Sequence, residues 1–154
     1  HLAVVLNGQL LAVPNNIGRV FATPTAGGCL YQLHNHDAGG RMHIEGWRQH
    51  PGAEVVAIVD ADAARLAAVG DQFGIAARYA SAEAMFAAER LDVVSVCTPN
   101  KFHKDLTIAA FAAGAHVLCE KPMAMNAEEG RVMLEASKRA GRRLMINFSY
   151  RFSA

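Results

Sequence analysis

The chain predicts a doubly wound, mainly parallel α/β sheet over residues 39–154, preceded by a β-hairpin extension over residues 1–38. Three observations carry that expectation. Asp92-Val-Val-Ser-Val-Cys97 and His116-Val-Leu-Cys119 are short apolar runs with β-branched residues, the composition of strands buried on both faces. Between them, Leu106, Ile108, Ala109, Ala110, Phe111 and Ala113 are dense enough for a helix packed on a sheet, stopped at Gly114. The same alternation of strand and helix runs from Gly39 onward, which implies parallel βαβ units.

Taken in order, His1–Leu6 and Gln9–Val13 flank Asn7-Gly8, a strong hairpin signal. Residues 14–18 and 23–28 are rich in turn formers and read as loop, and Cys29–Leu33 as a third short strand ending in His34-Asn-His-Asp37. The first 38 residues thus read as antiparallel β structure. Arg41–His50 can form a helix with Met42, Ile44 and Trp47 on one side, stopped by Pro51-Gly52. Glu54–Val59 is a strand ending at Asp60, and Asp62 to just beyond Gly70 an alanine-rich helix. Ala76–Tyr79 is a weaker strand, and Ser81 caps a helix from Ala82 to Glu89. The run Asn126-Ala-Glu-Glu129 opens a further helix in the manner of a capping box. Gly141 closes it, and Arg143–Phe148 forms the last strand.

Composition narrows the function. Hydrophobic residues make up 52% and charged ones 19% of the 154, enough for a packed core, and the net charge is only +1. No basic stripe interleaved with aromatics occurs, which argues against nucleic acid. The longest apolar segment, Thr107–Cys119, is broken by Gly114 and His116 and is too short to cross a bilayer. The three cysteines, Cys29, Cys97 and Cys119, show no disulfide spacing, so a reducing, cytoplasmic setting is expected. The chain begins at His1 with no signal pattern, which suggests a fragment or a processed product.

Two regions could bind a ligand. Asp60, ending the second strand of such a sheet about 20 residues past Gly39 and Gly40, can accept from the hydroxyls of an adenosine ribose. The bland alternative is an acid favoured by a helix N-terminus. A phosphate-binding Gly-x-Gly-x-x-Gly needs glycines where side chains would block backbone N–H groups from the pyrophosphate. With Gly40 as its last glycine, Asn35 and Asp37 take the other two places and only Gly39 and Gly40 remain. Nucleotide affinity should then be poor, unless another loop substitutes or residues 1–38 are a graft over a lost strand. A separate set, His34, His36, Asp37 and His43, has ligand chemistry without a recognised metal spacing, and no metal site is assigned.

The segments GRMHIEGWRQHPGAEVVAIVD, DVVSVCTPNKFHKD, GAHVLCEKPMAMNAEEG and SYRF together resemble the nucleotide-binding half of the Gfo/Idh/MocA oxidoreductases over about residues 40–151. Residues 1–38 fall outside it and are only loosely similar to a small uncharacterised bacterial β domain. The resemblance implies a Rossmann-type domain followed by a carboxyl-terminal sheet domain, with NAD, or NADP, as cofactor. It implies that Lys121 assists proton transfer beside the nicotinamide and that Glu120 lies near the nicotinamide ribose. Thr98, Pro99 and Asn100 match the turn beneath the cofactor, His103 a histidine just after it, and Arg151 an arginine at the domain junction. Lysine suits such a step where burial or nearby positive charge eases loss of its proton. The family often carries Gly and Asn where this chain has Asn147 and Ser149.

The function so implied is hydride transfer between a nicotinamide dinucleotide and a sugar-like or cyclitol secondary alcohol in the full-length protein. The substrate domain is expected beyond Ala154, so this chain alone should not turn over. Asp60 favours NAD over NADP by repelling a ribose phosphate, while Arg65, a turn away, leaves NADP open. No nucleic-acid or membrane partner is expected, and a homo-oligomer is left open. The alternative is a non-enzymatic binding module, either a degenerate Rossmann domain or a small His-rich metal-binding unit.

Overall fold

A computed structural model describes residues 4–6, 9–11, 20–22 and 38–148. Strands β1 (Val4–Leu6) and β2 (Gln9–Leu11) pair antiparallel, with Leu6 opposite Gln9 on either side of Asn7-Gly8, the hairpin expected there. The proposed strand Cys29–Leu33 and the cluster His34, His36 and Asp37 lie outside the described residues.

The main sheet has six strands in the order β5-β4-β3-β6-β7-β8. These are β3 (Val20–Ala22), β4 (Val55–Val59), β5 (Ala77–Tyr79), β6 (Val93–Val96), β7 (His116–Glu120) and β8 (Leu144–Asn147). Every pairing within it is parallel. Strand β3 went unrecognised in a stretch read as antiparallel and loop, yet it joins β4 to β6 at the centre, so the sheet draws a strand from ahead of residue 39. Three residues are too few to show a period, and only partner strands on both sides make them a strand. The order reverses between β3 and β6, the topological switch beside which open α/β sheets bind ligands.

Helix α1 (Ala38–Arg48) begins three residues earlier than expected, taking Gly39 and Gly40 into its first turn. The remaining helices are α2 (Ala63–Phe73), α3 (Ala82–Ala88), α4 (His103–Ala112) and α5 (Ala127–Ala140), close to expectation because their end signals are local. Asp62, Ser81 and Asn126 each cap a helix by accepting a backbone N–H. Accepting the Arg65 N–H also holds the exposed Asp62 carboxyl below the usual range. Glu129 returns a bond to the Met125 N–H at 3.1 Å, one residue short of the reciprocal contact of a capping box. Gly141 ends α5 at φ 61°, a left-handed conformation costly for side chains other than glycine.

Strand alternation divides the core in two. Val94, Val96, Val117 and Cys119 face α4 and α5, packing with Phe111, Met133 and Ala136 and with Leu144 and Ile146 of β8. On the other face Ile58 packs with Ile44, Val69 and Phe73, while Val93 and Leu118 pack with Trp47 and Met145. Trp47 Nε1 donates to the fully buried Ser95 Oγ at 2.9 Å, satisfying both polar atoms beneath α1.

Two stability predictions follow from this packing. A Cβ at Gly70 would lie 2.0 Å from Arg78 Nε, and Arg78 Nε donates to the Ile75 carbonyl at 2.7 Å. Gly70→Ala should therefore cost about 1–3 kcal/mol in urea unfolding, and its effect should add less than fully to that of Arg78→Ala because both break one contact. His116, at the start of β7, is held below the ordinary histidine range first by partial burial and then by Arg142 and Arg143. Its Nδ1 accepts the Arg143 N–H at 2.9 Å, a bond that a proton there would abolish. With the folded value depressed, the unfolded chain binds the proton more tightly, so stability is lost as pH falls below about 6.5. The urea midpoint should drop between pH 8 and pH 5.5, and the drop should shrink in His116→Gln.

Candidate functional site

The expected residues gather at the carboxyl edge of the sheet because strand ends there are followed by short turns into helices. Asp60 ends β4 with 5% of its surface exposed. Arg65, one turn into α2, grips it in a fork, with Nε to Oδ2 at 2.6 Å and Nη2 to Oδ1 at 2.8 Å. Oδ1 also accepts the Asp62 N–H at 2.8 Å. Gly40, in the first turn of α1 after β3, is buried.

Thr98, Pro99 and Asn100 form the turn after β6, leading into a single 3-10 turn, Asn100–Phe102, closed by Phe102 N–H to the Pro99 carbonyl at 2.9 Å. Across from it β7 ends at Glu120, followed by the partly buried Lys121 and a cis Lys121–Pro122 peptide. His103 joins the two segments. It is 0% exposed, with Nδ1 2.8 Å from the Pro122 carbonyl and Nε2 2.8 Å from the Thr98 carbonyl. Both contacts are N–H donations only when each nitrogen carries a proton, since carbonyls only accept. His103 thus ties the Thr98 and Pro122 loops together through its ring nitrogens.

Glu120, 7% exposed, is met from two other elements. His43 Nε2 of α1 lies 3.1 Å from its Oε1, and Asn147 Nδ2 of β8 lies 2.5 Å from the same oxygen. Its Oε2 accepts the Lys121 backbone N–H at 3.1 Å. Of the four residues with ligand chemistry near position 36, His43 alone is described, and it turns onto Glu120. Among the described residues no group of three or more His, Cys, Asp or Glu could hold a metal. Arg151 lies outside the described residues. Asn147, set aside in the sequence because it departs from the resembled pattern, belongs to the cluster; its parallel pairing with Glu120 is a register that sequence does not display.

Polar capacity is left over. Thr98 Oγ1 and His43 Nδ1 are buried without a hydrogen-bond partner among the described residues. Thr107 Oγ1 within α4 is left in the same state, and of the three the Thr98 hydroxyl stands at a strand end, where it has capacity for a polar ligand.

The family model described as "GFO_IDH_MocA: Oxidoreductase family, NAD-binding Rossmann fold" matches residues 37–148. The chain belongs to this Gfo/Idh/MocA family. Among its relatives, a D-apiose dehydrogenase of Paraburkholderia graminis is 42% identical over 112 residues, covering 73% of this chain and 30% of that protein. A D-glucoside 3-dehydrogenase of Escherichia coli is 36% identical over 113 residues, 73% of this chain and 32% of that protein. The WlbA dehydrogenase of Bordetella pertussis, solved with NADH and UDP-GlcNAcA, superposes with a TM-score of 0.76 at 30% identity, covering 90% of this chain and 39% of that one. The chain thus spans about a third of the length of the Gfo/Idh/MocA relatives it matches. The Rossmann-type fold and a nicotinamide dinucleotide as the cofactor class are both borne out.

The buried bridge makes a prediction of its own. His103→Ala removes at least one buried hydrogen bond worth about 1 kcal/mol and opens a cavity, for a total loss of about 2–4 kcal/mol in urea unfolding. Hydrogen exchange at the Phe102 amide should accelerate with it, as the Thr98–Asn100 turn loses its tie to Pro122.

Proposed function

We propose that residues 39–154, with the strand supplied by 20–22, are the nucleotide-binding part of an NAD(P)-dependent dehydrogenase of sugar-like or cyclitol secondary alcohols. The carrying observation is that Lys121 follows the strand end Glu120 and is tied through Pro122 and His103 to the Thr98–Asn100 turn. Such double anchoring limits the wandering of a side chain that must meet a substrate at hydrogen-bonding distance. The named activities of the sugar dehydrogenases above support the substrate class.

When bound, the dinucleotide supplies the hydride acceptor at nicotinamide C4. In the oxidation direction the carbinol carbon would give its C–H electron pair as hydride to that acceptor, and Lys121, acting as the neutral amine, would take the hydroxyl proton as the C=O bond forms. Substrate-binding residues of the second domain that the family resemblance implies would complete the site. Thr98, Pro99 and Asn100, in the turn after β6, and the backbone N–H groups of the first turn of α1 with Gly39 and Gly40 would hold the dinucleotide, the latter through its phosphates. Arg151 is assigned to the junction with the second domain.

Asp60 would accept from the adenosine ribose hydroxyls, and its negative charge favours NAD. Arg65 already neutralises part of that charge through its fork, so discrimination against NADP should be modest. A cytoplasmic setting agrees with Cys97 and Cys119 being buried within the sheet region.

Calorimetric titration of the chain with NADH, NADPH and Zn²⁺ tests the reading. Saturable NADH binding is expected, weakened about tenfold in Asp60→Ala by loss of a charged hydrogen-bond acceptor. Zinc heat without nucleotide heat, abolished by His34→Ala/His36→Ala, would replace the dehydrogenase reading with a metal-binding module.

A further inference from the structure

The polar cluster beneath α1 carries more than the reading above assigns to it. Glu120 ends β7 and Asn147 ends β8, and the parallel register sets them side by side. Both have the parity of Leu118 and Met145, which face α1, so both side chains meet the helix bearing His43. Three elements distant in sequence converge on one carboxylate.

With Glu120 ionised, donor and acceptor chemistry favours one arrangement of this cluster. An ionised carboxylate only accepts, so the contact at 3.1 Å requires the proton on His43 Nε2, and the one at 2.5 Å requires the Asn147 amide to present its NH2. With Nε2 protonated, the Asn147 Nδ2 to His43 Nε2 approach of 3.2 Å is two donors side by side, both directed at Glu120 Oε1. That oxygen is thereby occupied from α1 and β8, which turns Oε2 toward the Lys121 N–H at 3.1 Å.

We propose that His43 and Asn147 are positioning residues that lock the Glu120 carboxylate, and that Glu120 in turn fixes the Lys121 backbone. The consequence for catalysis rests on the role given to Lys121 above. Asn147 stands where the resembled pattern often has glycine, which offers no amide, so this brace is a feature of the chain's own sequence. The inward turn of Glu120, with 9% of its side chain exposed, agrees with a holding role.

An isosteric swap tests the brace in the full chain. In Glu120→Gln one terminal atom must become NH2. If it faces Asn147 and His43, both must reorganise, Asn147 by flipping its carbonyl onto the new NH2 and His43 by moving its proton to Nδ1, and if it faces Lys121 it meets the backbone N–H, so the wild-type lock is weakened in either pose. Glu120→Gln/Asn147→Asp restores complementarity in reverse, with the introduced glutamine amide donating to the introduced aspartate and its carbonyl accepting the Lys121 N–H. His43 Nε2–H can then donate to that aspartate as well.

Hydrogen exchange at the Lys121 amide, read by NMR against the Val69 and Met85 amides of the core, should speed about tenfold in Glu120→Gln and Asn147→Ala, as expected for a bond worth somewhat over 1 kcal/mol. It should return to within about threefold of wild type in the double variant. NADH affinity should fall and recover in parallel. If Lys121 exchange in the single variants matches wild type, or if the double variant is no slower than Glu120→Gln while the core amides stay protected, the brace is overturned. Should a single variant expose all core amides, the double variant's Lys121 exchange relative to wild type decides alone. Absence of NADH binding by the wild-type chain would remove the dehydrogenase reading and leave the brace to stand or fall on exchange.

Discussion

The parallel pairing of β6 with β7, and of β7 with β8, is the constraint on which the rest of the molecule depends. Residues Val93–Val96 pair with His116–Cys119, and Val117–Glu120 with Leu144–Asn147. Strand geometry then sends alternate side chains to opposite faces. Val94, Val96, Val117 and Cys119 enter the core under α4 and α5, while Val93 and Leu118 enter the one under α1. A slip of one residue between β7 and β8 would exchange those faces and part Glu120 from Asn147, so apolar packing along the strands sets the polar geometry at their ends.

At the carboxyl edge the same logic becomes chemical. Each strand end that matters is polar, and each is immobilised by a side chain from elsewhere in the chain. Asp60 is held by Arg65, Glu120 by His43 and Asn147, and the carbonyls of Thr98 and Pro122 by His103. Each of these contacts is buried or part-buried, where an unmatched polar atom is costly, so they are coupled to the folded arrangement. The result is a set of polar strand ends along the carboxyl edge, held in place by contacts from other elements.

This edge also shows why the two histidines near the site differ in kind. His103 reaches only backbone carbonyls and joins two loops irrespective of the side chains they bear. His43 reaches a carboxylate, and its effect depends on the identity of residues 120 and 147. One braces the backbone and the other tunes a particular pair of side chains.

The sequence by itself determined the helices, most of the strands and the family. Capping residues, stop glycines and apolar runs act within a few residues of the elements they mark, and the Thr-Pro-Asn and Glu-Lys-Pro segments are contiguous. Asp60, Thr98, Glu120 and Lys121 stand out in the sequence for that reason. Only the tertiary structure decided the rest. Strand β3 is three residues whose identity as a central strand comes from its neighbours, α1 reached back over Gly39 and Gly40, and His43 left its sequence neighbours for Glu120. Asn147 joined the site through a register across β7 and β8. The physical reason is separation: residues 43, 120 and 147 share no local signal, and they meet because burying both faces of one sheet leaves them a single place to go.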